Sequence, residues 1–308
     1  MGKKNYTHRV LLISDPHYMS DGTREEYKLL YPNAKPSGAA GDAYGYTQKQ
    51  KIDFILEDLN AFMEKEPVES VLILGDLGTD DYSFRNLPVN YCLKFKEECM
   101  DKLGCDSYAL PGNHDSYPND MWYDIFQYDR QYSVKIGDAA FIMLDTFQGG
   151  VAKDGGGSPY TGVDIEWLEQ ELKKYPTENI FLCTHGLSQK KHDPKFTEFL
   201  AKNERIVCVF VGHIHKNEVM RLKELDDRYL INVSGYCFIN EIRDGKWVFD
   251  RFHEECAWGY GVLEWNKTEM HYYHVKNPRT YKGSNGIFDY QGTIEDELFI
   301  PFVEENGK

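Results

Sequence analysis

The stretch SVLIL, residues 70–74, predicts a short buried β-strand that ends at the Gly-Asp pair of residues 75–76. An unbroken apolar run of this length is typical of a strand in a largely parallel sheet that is covered by helices. Residues 47–66 place apolar side chains at a 3.6-residue period, and a second helix is expected over about 88–103. The chain around this strand therefore predicts strands that alternate with helices.

The same alternation continues along the sequence. Strand patterns occur at residues 10–14, 107–110, 132–136, 139–144, 180–183 and 206–211, and helical patterns occur at 164–175 and 194–202. Further strands are expected at about 217–224, 229–234, 260–265 and 269–276. We therefore predict an α/β protein, a four-layer αββα sandwich with two mixed β-sheets flanked by helices.

No internal repeat or interdomain linker interrupts this order, so one domain is expected over residues 1–276. The remaining residues, 277–308, contain proline, glycines and an acidic stretch. We expect them to form a tail that packs on the surface or is partly disordered. Residues 20–46 contain glycine, proline and tyrosine without a period, which predicts a long loop near the first strand.

The charge of the chain limits its partners. Its 308 residues include 35 Lys and Arg against 50 Asp and Glu, so the formal net charge is −15. Phosphate backbones and anionic membranes attract basic surfaces. The acidic balance therefore weighs against a general nucleic-acid binder and against docking on anionic lipid.

Two further features concern location. No apolar stretch approaches the roughly 20 residues that a membrane span requires, and the apolar run Val10–Ile13 is too short for a secretory signal. The seven cysteines are an odd number and form no CxxC pair. Such a set is typical of buried free thiols in a reducing compartment. A cytoplasmic protein without a membrane span is the resulting expectation.

Polar side chains follow five of the predicted strands at their carboxyl ends. These side chains belong to Asp15 and His17, to Asp76, to Asn113, His114 and Asp115, to His185, and to His213 and His215. Open α/β sheets bind their ligands at this edge. A single His or Asp at a strand end is usually a turn former, but five such places in order, each after an apolar strand, call for another explanation. This edge is therefore expected to hold the functional site.

Seven of these residues are candidate metal ligands: Asp15, His17, Asp76, Asn113, His185, His213 and His215. Mixed oxygen and imidazole ligands favour transition metals such as Mn, Fe, Zn, Ni or Co over Ca or Mg. Seven ligands are too many for one ion, and they suit two ions that share a bridging carboxylate. Two ions about 3.5–4 Å apart can stabilise the attacking and the leaving oxygen of a phosphoryl transfer. The expected cofactor is a pair of divalent or mixed-valence transition-metal ions.

Together the five blocks resemble the signature of the calcineurin-like metallophosphoesterases. The blocks are Asp15-x-His17, Gly75-Asp76, Gly112-Asn113-His114-Asp115, His185 and Gly212-His213-x-His215, in the family's order across residues 15–215. The resemblance implies a phosphoester hydrolase with two metal ions bridged by Asp76. It implies that Asp15, His17 and His215 complete one site, and that Asn113, His185 and His213 complete the other.

The same resemblance implies a mechanism. A hydroxide between the two ions would attack the phosphorus of a small phosphodiester or phosphomonoester in line. His114 would face the leaving oxygen as a general acid, and Asp115 is expected to orient His114. The implied partner is therefore a small-molecule phosphoester substrate.

Differences from the motifs of known subfamilies indicate which branch of the family this chain is most similar to. Purple acid phosphatases carry a ligating tyrosine three residues after the bridging Asp, where this chain has Thr79. Many family members read Gly-Asp-x-x-Asp or Gly-Asp-x-x-Asn in the second block; in this chain that acid is one place late, at Asp80, or absent. Protein Ser/Thr phosphatases read Gly-Asn-His-Glu, whereas this chain has Asp115. The motifs look more like the bacterial branch that includes cyclic-nucleotide and broad-specificity phosphodiesterases.

Two other functions remain open from the sequence. One is a nuclease of the same family, whose affinity would fall steeply with salt, and the net charge of −15 weighs against it. The other is a binding scaffold that keeps the fold without turnover. Such proteins typically lose ligands, whereas this chain has all seven candidate ligands together with His114.

Overall fold

The computed structural model describes residues 5–18, 48–78, 90–148, 157–187, 193–236, 239–243, 246–250, 258–276 and 293–302. The predicted loop 20–46 lies outside the described residues, as do Thr79 and Asp80. No helix in the described part of the chain is long and apolar enough to cross a membrane.

Two six-stranded sheets form the centre of the described structure. The first contains β1 (His8–Ile13), β2 (Ser70–Leu74), β3 (Asp106–Leu110), β12 (Gly259–Trp265), β13 (Glu269–Lys276) and β14 (Thr293–Pro301), in the order β14-β13-β12-β1-β2-β3. The second contains β4 (Tyr132–Ile136), β5 (Ala139–Leu144), β6 (Asn179–Thr184), β7 (Ile206–Val211), β8 (Glu218–Leu222) and β9 (Arg228–Asn232), in the order β4-β5-β6-β7-β9-β8. Strands β10 (Ile239–Arg243) and β11 (Lys246–Asp250) pair as a separate hairpin.

Helices connect the strands. They are α1 (Gln48–Met63), α2 (Tyr91–Glu98), α3 (Asn119–Phe126), α4 (Ile165–Leu172) and α5 (Pro194–Ala201). Three of them begin at a polar residue whose side chain accepts a hydrogen bond from the first turn: Asn90 before α2, Asp164 before α4 and Asp193 before α5. These caps satisfy backbone N–H groups that the helix itself leaves free.

Parallel pairing aligns the strand ends. Strands β1, β2 and β3 run parallel in the first sheet, and β5, β6, β7 and β9 run parallel in the second. A backbone bridge joins Ser14, which follows β1, to Gly235, which lies beyond β9. The carboxyl edges of the two sheets therefore meet, and side chains just beyond these strands are brought together.

Three apolar clusters separate four layers. Between the sheets, Leu12 of β1 and Phe141 of β5 are buried in one cluster. The neighbouring Leu11 lies on the opposite face of the first sheet, in a cluster with Ile55 of α1. Ile142, next to Phe141, lies on the outer face of the second sheet in a cluster with residues of α4 and α5. Alternate strand residues thus serve different layers, and the predicted αββα sandwich is confirmed.

The local predictions differ in accuracy. Strands Ser70–Leu74, Tyr132–Ile136, Ala139–Leu144 and Ile206–Val211 have the expected bounds. Helix α3 and the hairpin of β10 and β11 were not predicted. Helix α3 has eight residues, which is little more than two turns.

The C-terminal segment contributes more than the sequence indicates. The predicted domain ends at residue 276, and residues 277–308 are expected to be a tail that packs on the surface or is partly disordered. The structure places β14, from within this segment, antiparallel to β13 at the edge of the first sheet. Phe302 is buried in the cluster between the sheets. The acidic run Glu295–Glu297 obscures this strand in the sequence, because charged side chains are tolerated at a sheet edge.

Candidate metal centre

The polar strand ends predicted from the sequence lie together in the structure. The loops after β1, β2, β3, β6 and β7 supply the side chains of Asp15, His17, Asp76, Asn113, His185, His213 and His215. Backbone hydrogen bonds join the first two loops, since Asp15 N donates to Gly75 O at 3.0 Å and His17 N donates to Asp76 O at 2.9 Å. The centre is therefore built where both sheets end.

A first group of ligand atoms comes from Asp15, His17, Asp76 and His215, all of them buried and all within 4.8 Å of one another. His215 Nε2 lies 3.2 Å from Asp15 Oδ1, and His17 Nε2 lies 3.5 Å from Asp76 Oδ2. The two imidazole atoms His17 Nε2 and His215 Nε2 face each other at 3.1 Å. Two such nitrogens are compatible at this distance when a proton or a cation lies between them.

A second group of ligand atoms comes from Asp76, His185 and His213. His185 Nε2 lies 3.1 Å from Asp76 Oδ2 and 3.1 Å from Asn113 Oδ1, so the Asn113 amide adjoins this group. Asp76 belongs to both groups. The donor set therefore fits two ions that share one carboxylate, with oxygen and imidazole ligands on each side.

Each carboxylate is anchored through one oxygen. Asp15 Oδ2 accepts hydrogen bonds from His213 N at 2.8 Å and from Ser14 Oγ. Asp76 Oδ1 accepts a hydrogen bond from His114 N at 2.8 Å. The other oxygens, Asp15 Oδ1 and Asp76 Oδ2, face the imidazole nitrogens. The backbone thereby fixes both carboxylates and leaves one oxygen of each directed into the centre.

The remaining contacts of these groups fit a cation. Asp15 Oδ1 is fully buried and accepts no hydrogen bond from the described residues, although three imidazole Nε2 atoms lie within 3.8 Å of it. A buried carboxylate oxygen without a donor is costly unless a positive charge lies beside it. On the other side, His185 Nδ1 lies 2.7 Å from Leu74 O, and this contact orients Nε2 toward the centre.

The titration of these groups reflects their mutual charge. Burial lowers the pKa of His17 to about 4. Burial also acts to lower the pKa of His185, but the Asp76 and Asp15 carboxylates outweigh it and raise that pKa to about 9. Burial opposes ionisation of Asp15, yet the imidazoles of His215 and His185 hold its pKa well below the usual range. Burial also opposes ionisation of Asp76, but the imidazoles of His185 and His114 hold its pKa well below the usual range. The two carboxylates are therefore ionised at neutral pH and attract positive charge.

Five of the candidate ligands have a left-handed backbone: Asp15, His17, Asp76, His213 and His215, with φ between 42° and 73°. Residues other than glycine rarely adopt this region, and those that do are concentrated at functional sites. The conformation turns the chain sharply as each strand ends. Both His of the last block and both ligands of the first are thereby directed toward a common centre.

Two glycines permit the close approach of these loops. A Cβ atom on Gly112 would overlap the Asp76 carboxylate, and a Cβ atom on Gly212 would overlap Ser14 Oγ. Ser14 in turn donates to the Asp15 carboxylate. The glycines of the Gly-Asn-His-Asp and Gly-His-x-His blocks are therefore required by the packing of one ligand loop on another.

The two predicted catalytic residues occupy different surroundings. The His114 side chain is half-buried at the border of the centre, with its ring centroid 5.2 Å from that of His17. The Asp115 carboxylate is fully buried and accepts hydrogen bonds from the backbone N–H groups of Leu77, Gly78 and Gly112. These bonds tie the loop after β3 to the loop after β2. That Asp115 orients His114 stays a prediction.

Sequence reasoning missed residues that support the centre. The Phe147 ring is buried and packs against two ligand rings, with centroids 5.6 Å from His185 and 5.8 Å from His213. Phe147 N donates to Asp145 Oδ1 at 3.0 Å. Asp145 directly follows β5, so the rule that polar residues end these strands would have identified it as a sixth such place.

The centre opens to solvent on one side. The side chains of Asp15, His17, Asp76, His185 and His215 are buried, whereas His213 is exposed and His114 is half-buried. A ligand can therefore approach past His213 and His114 and reach the oxygen and nitrogen atoms that face the interior.

Two curated relatives resemble the chain in sequence. A probable glycerophosphodiester phosphodiesterase of Arcobacter nitrofigilis is 26% identical over 318 residues, which cover 97% of this chain and 98% of that protein. A probable cyclic nucleotide phosphodiesterase of a Pseudoalteromonas species is 26% identical over 231 residues, which cover 71% of this chain and 75% of that protein.

Solved structures share the fold. A dimetal phosphatase from Danio rerio matches 97% of this chain and 100% of its own with a TM-score of 0.60 at 12% identity. PhoD matches 98% of this chain and 71% of its own with a TM-score of 0.55 at 11% identity. At these identities the likeness concerns the fold alone.

A family model decides the relationship. The model described as calcineurin-like phosphoesterase matches residues 8–217, from β1 to the loop after β7. This span contains both ligand groups, Asn113 and His114. The resemblance of the five sequence blocks is thereby confirmed, and the chain belongs to the calcineurin-like phosphoesterase family.

Proposed function

We propose that this protein hydrolyses a small phosphodiester at a centre of two transition-metal ions, with His114 as the general acid. The observation that carries the proposal is the pair of ligand groups that share Asp76. Both relatives described above are named phosphodiesterases, and one of them aligns over 97% of this chain. Their names support a diester substrate over a monoester.

The ligand assignment follows the two groups of donor atoms. Asp15, His17, Asp76 and His215 would hold one ion, and Asp76, Asn113, His185 and His213 would hold the other. The bound ions would supply positive charge for the phosphoryl oxygens and would lower the pKa of water to near neutrality. The anchored oxygens Asp15 Oδ2 and Asp76 Oδ1 hold the two carboxylates in one orientation while substrate binds and product leaves.

His114 has the position of a proton donor. It belongs to neither ligand group, yet its backbone N–H is bonded to the shared carboxylate of Asp76. Its half-buried ring lies on the side from which a substrate enters. A protonated imidazole there can give its proton to the alcohol oxygen as the P–O bond breaks, and general acid catalysis of this kind typically contributes about 10²–10⁴ in rate.

The proposal is tested by a substrate profile of the metal-loaded protein. Initial rates are measured with bis(4-nitrophenyl) phosphate, 4-nitrophenyl phosphate, a glycerophosphodiester and a cyclic nucleotide, with Mn²⁺ or Zn²⁺ added. We expect a higher kcat/KM for the diesters than for the monoester, and loss of turnover in Asp76→Ala. A preference for the monoester would overturn the diester assignment, and turnover that persists after metal removal would overturn the two-metal mechanism.

The alternatives drawn from the sequence give distinct outcomes in the same experiment. A nuclease would cleave single-stranded DNA with a KM that rises steeply with salt concentration. A binding scaffold would take up metal without turnover of any ester. The complete ligand set and the net charge of −15 favour the small-molecule esterase over both.

A further inference from the structure

Arg130 lies between α3 and β4, where the chain passes from the first sheet to the second. Its Nη1 donates to the carbonyl oxygens of Asp115 and Tyr117, each at 2.8 Å. Its Nε donates to Asp145 Oδ2 at 2.7 Å. One guanidinium group therefore joins the loop after β3 to the residue that follows β5.

Each end of this connection leads to a candidate ligand. On the β3 side, Arg130 holds the backbone of Asp115, two residues after Asn113. On the β5 side, Asp145 accepts the hydrogen bond of Phe147 N, and the Phe147 ring packs on His185 and His213. These contacts reach Asn113, His185 and His213, the residues that form the second ligand group together with Asp76.

The ligands of the first group other than the shared Asp76 lack this support. Within the described segments, Arg130 makes no hydrogen bond to the loops that carry Asp15, His17 or His215. Those loops are joined by their own backbone bonds and by the anchored Asp15 carboxylate. The two halves of the centre are therefore supported by different contacts.

We propose that Arg130 is a positioning residue for the second metal site, formed by Asn113, His185 and His213 with Asp76. The inference rests on the proposed two-metal function. The guanidinium acts through Asp145 and the Asp115 carbonyl, so it sets the distances among these ligands without touching the ion or the substrate. Its effect is confined to one of the two ions.

The chemistry of the site requires arginine. The Arg130 side chain is 11% exposed and that of Asp145 is 2% exposed, and the guanidinium carbon lies 5.6 Å from the ring centre of Trp122. A planar guanidinium can serve three acceptors in fixed directions, whereas a lysine ammonium on a flexible stem cannot reproduce that fork. Removal of one partner also leaves the other buried charge uncompensated.

A cavity next to the guanidinium makes a specific test feasible. It has a volume of about 530 Å³, and its walls include Arg130, Asp145, Phe147 and Trp167. A small cation from solvent can enter this space and occupy the place that a truncated Arg130 side chain leaves. Rescue of an Arg130 truncation by free guanidinium would therefore show that the charge and the planar shape of the lost group are needed at this position.

The experiment measures binding of Mn²⁺ by titration calorimetry to the metal-free full-length protein. We expect two ions in the wild type. In Arg130→Ala we expect one ion bound as before and the second bound 10- to 100-fold more weakly, the usual range for loss of a residue that orients a ligand. Millimolar guanidinium, far below denaturing concentrations, should restore part of the second affinity, whereas urea at the same concentration should not.

Arg228→Ala is the matched control. Arg228 has the same side-chain exposure of 11% and also donates to backbone carbonyls, those of Ile206 and Leu200. It lies away from the ligand loops, at the start of β9. Loss of the second affinity in this variant would show a general effect of instability and would overturn the inference, and so would equal weakening of both ions in Arg130→Ala.

A conservative variant covers the case in which Arg130→Ala does not fold. Arg130→Lys keeps the charge but loses the fork, and we expect a several-fold weakening of the second ion alone. Unchanged affinity in this variant would contradict the positioning role. A wild type that binds fewer than two ions would overturn the proposed function itself, so failure of the function and failure of the inference are distinguishable.

Discussion

Replacement of Asp115 by asparagine separates its structural contribution from a role in orienting His114. Each of the two oxygens of this buried carboxylate accepts hydrogen bonds from two donors. Oδ2 accepts from Leu77 N at 3.1 Å and from Gly112 N at 2.8 Å, and Oδ1 accepts from Gly78 N at 3.3 Å and from the Cys92 thiol at 3.2 Å. An asparagine side chain offers an acceptor to only one of these pairs.

The expected loss of stability follows from that count. The amide oxygen of Asp115→Asn keeps the two shorter bonds, and the amide nitrogen then faces the Gly78 N–H. A buried donor without a partner costs about 1–3 kcal/mol, and a lost bond to a charged group costs about 1.5–3 kcal/mol. Part of this loss of stability is offset, because the neutral asparagine avoids a charge that is unfavourable at this position. Burial and the Asp76 carboxylate raise the pKa of Asp115 and so disfavour its charged form. We expect a net loss of about 2 kcal/mol.

The assay is urea unfolding of the metal-free protein, with two further variants beside Asp115→Asn. Asp115→Ala leaves three buried N–H groups unpaired and should lose about 4 kcal/mol or more. Cys92→Ala removes the weak thiol donor together with one buried sulfur atom and should lose less than Asp115→Ala. An unchanged free energy of unfolding in Asp115→Asn would refute the count of bonds. An activity loss confined to alkyl esters would instead support the orientation of His114.

Three further predictions concern the proton donor, the shared ligand and a histidine outside the centre. His114→Ala should retain two metal ions by elemental analysis. It should lose activity mostly on alkyl esters, by about 10²–10⁴-fold, because a nitrophenolate can leave without a proton. Equal losses on alkyl and nitrophenyl esters would refute the assignment of His114 as the general acid. Asp76→Ala should weaken both ions and His215→Ala mainly one, as measured by calorimetry, and an intact pair in Asp76→Ala would exclude a bridging role. Burial lowers the pKa of His274 to about 3 in the folded protein, from an ordinary value of about 6.5. Between pH 6.5 and pH 3, this histidine is therefore protonated in the unfolded chain but not in the folded one. His274 therefore contributes a loss of stability of about 1.4 kcal/mol per unit as pH falls below 6.5. The slope of unfolding free energy against pH from 6 to 4 should be smaller by this amount in His274→Gln, and an unchanged slope would contradict the shift.

The residues that could be predicted from sequence are those whose signal is local. A strand such as Ser70–Leu74 is buried on both faces whichever neighbours it has, so its unbroken apolar run of four residues, 71–74, suffices to identify it. The ligands follow from the same reasoning, since parallel strands place their carboxyl ends at one edge. The Asp15 and His215 side chains, 200 positions apart, are adjacent for this reason alone.

The contacts that sequence did not reveal depend on several distant segments at once. Nothing near Asp115 in the chain indicates that its carboxylate bonds to the backbone of the β2 loop. Arg130 and Asp145 flank the hairpin of β4 and β5, just beyond the pair Tyr132 and Met143, but nothing in the sequence indicates that Arg130 also reaches the carbonyl oxygens of Asp115 and Tyr117. Strand β14 was missed because its acidic centre suits an edge of the sheet and resembles a solvated tail.

The left-handed backbone at five candidate ligand positions lowers the stability of the folded chain, although it directs the ligand side chains toward the metal centre. A residue other than glycine in that region costs on the order of 1–3 kcal/mol, and glycine there removes the strain together with the ligand. Selection of random variants for heat resistance alone, with no substrate and no metal present, should therefore enrich glycine at His17, His213 and His215. Asp15 and Asp76 should change less often, because their carboxylates accept backbone hydrogen bonds from neighbouring loops. The most readily stabilised positions of the apoprotein would then outline the place where it acts.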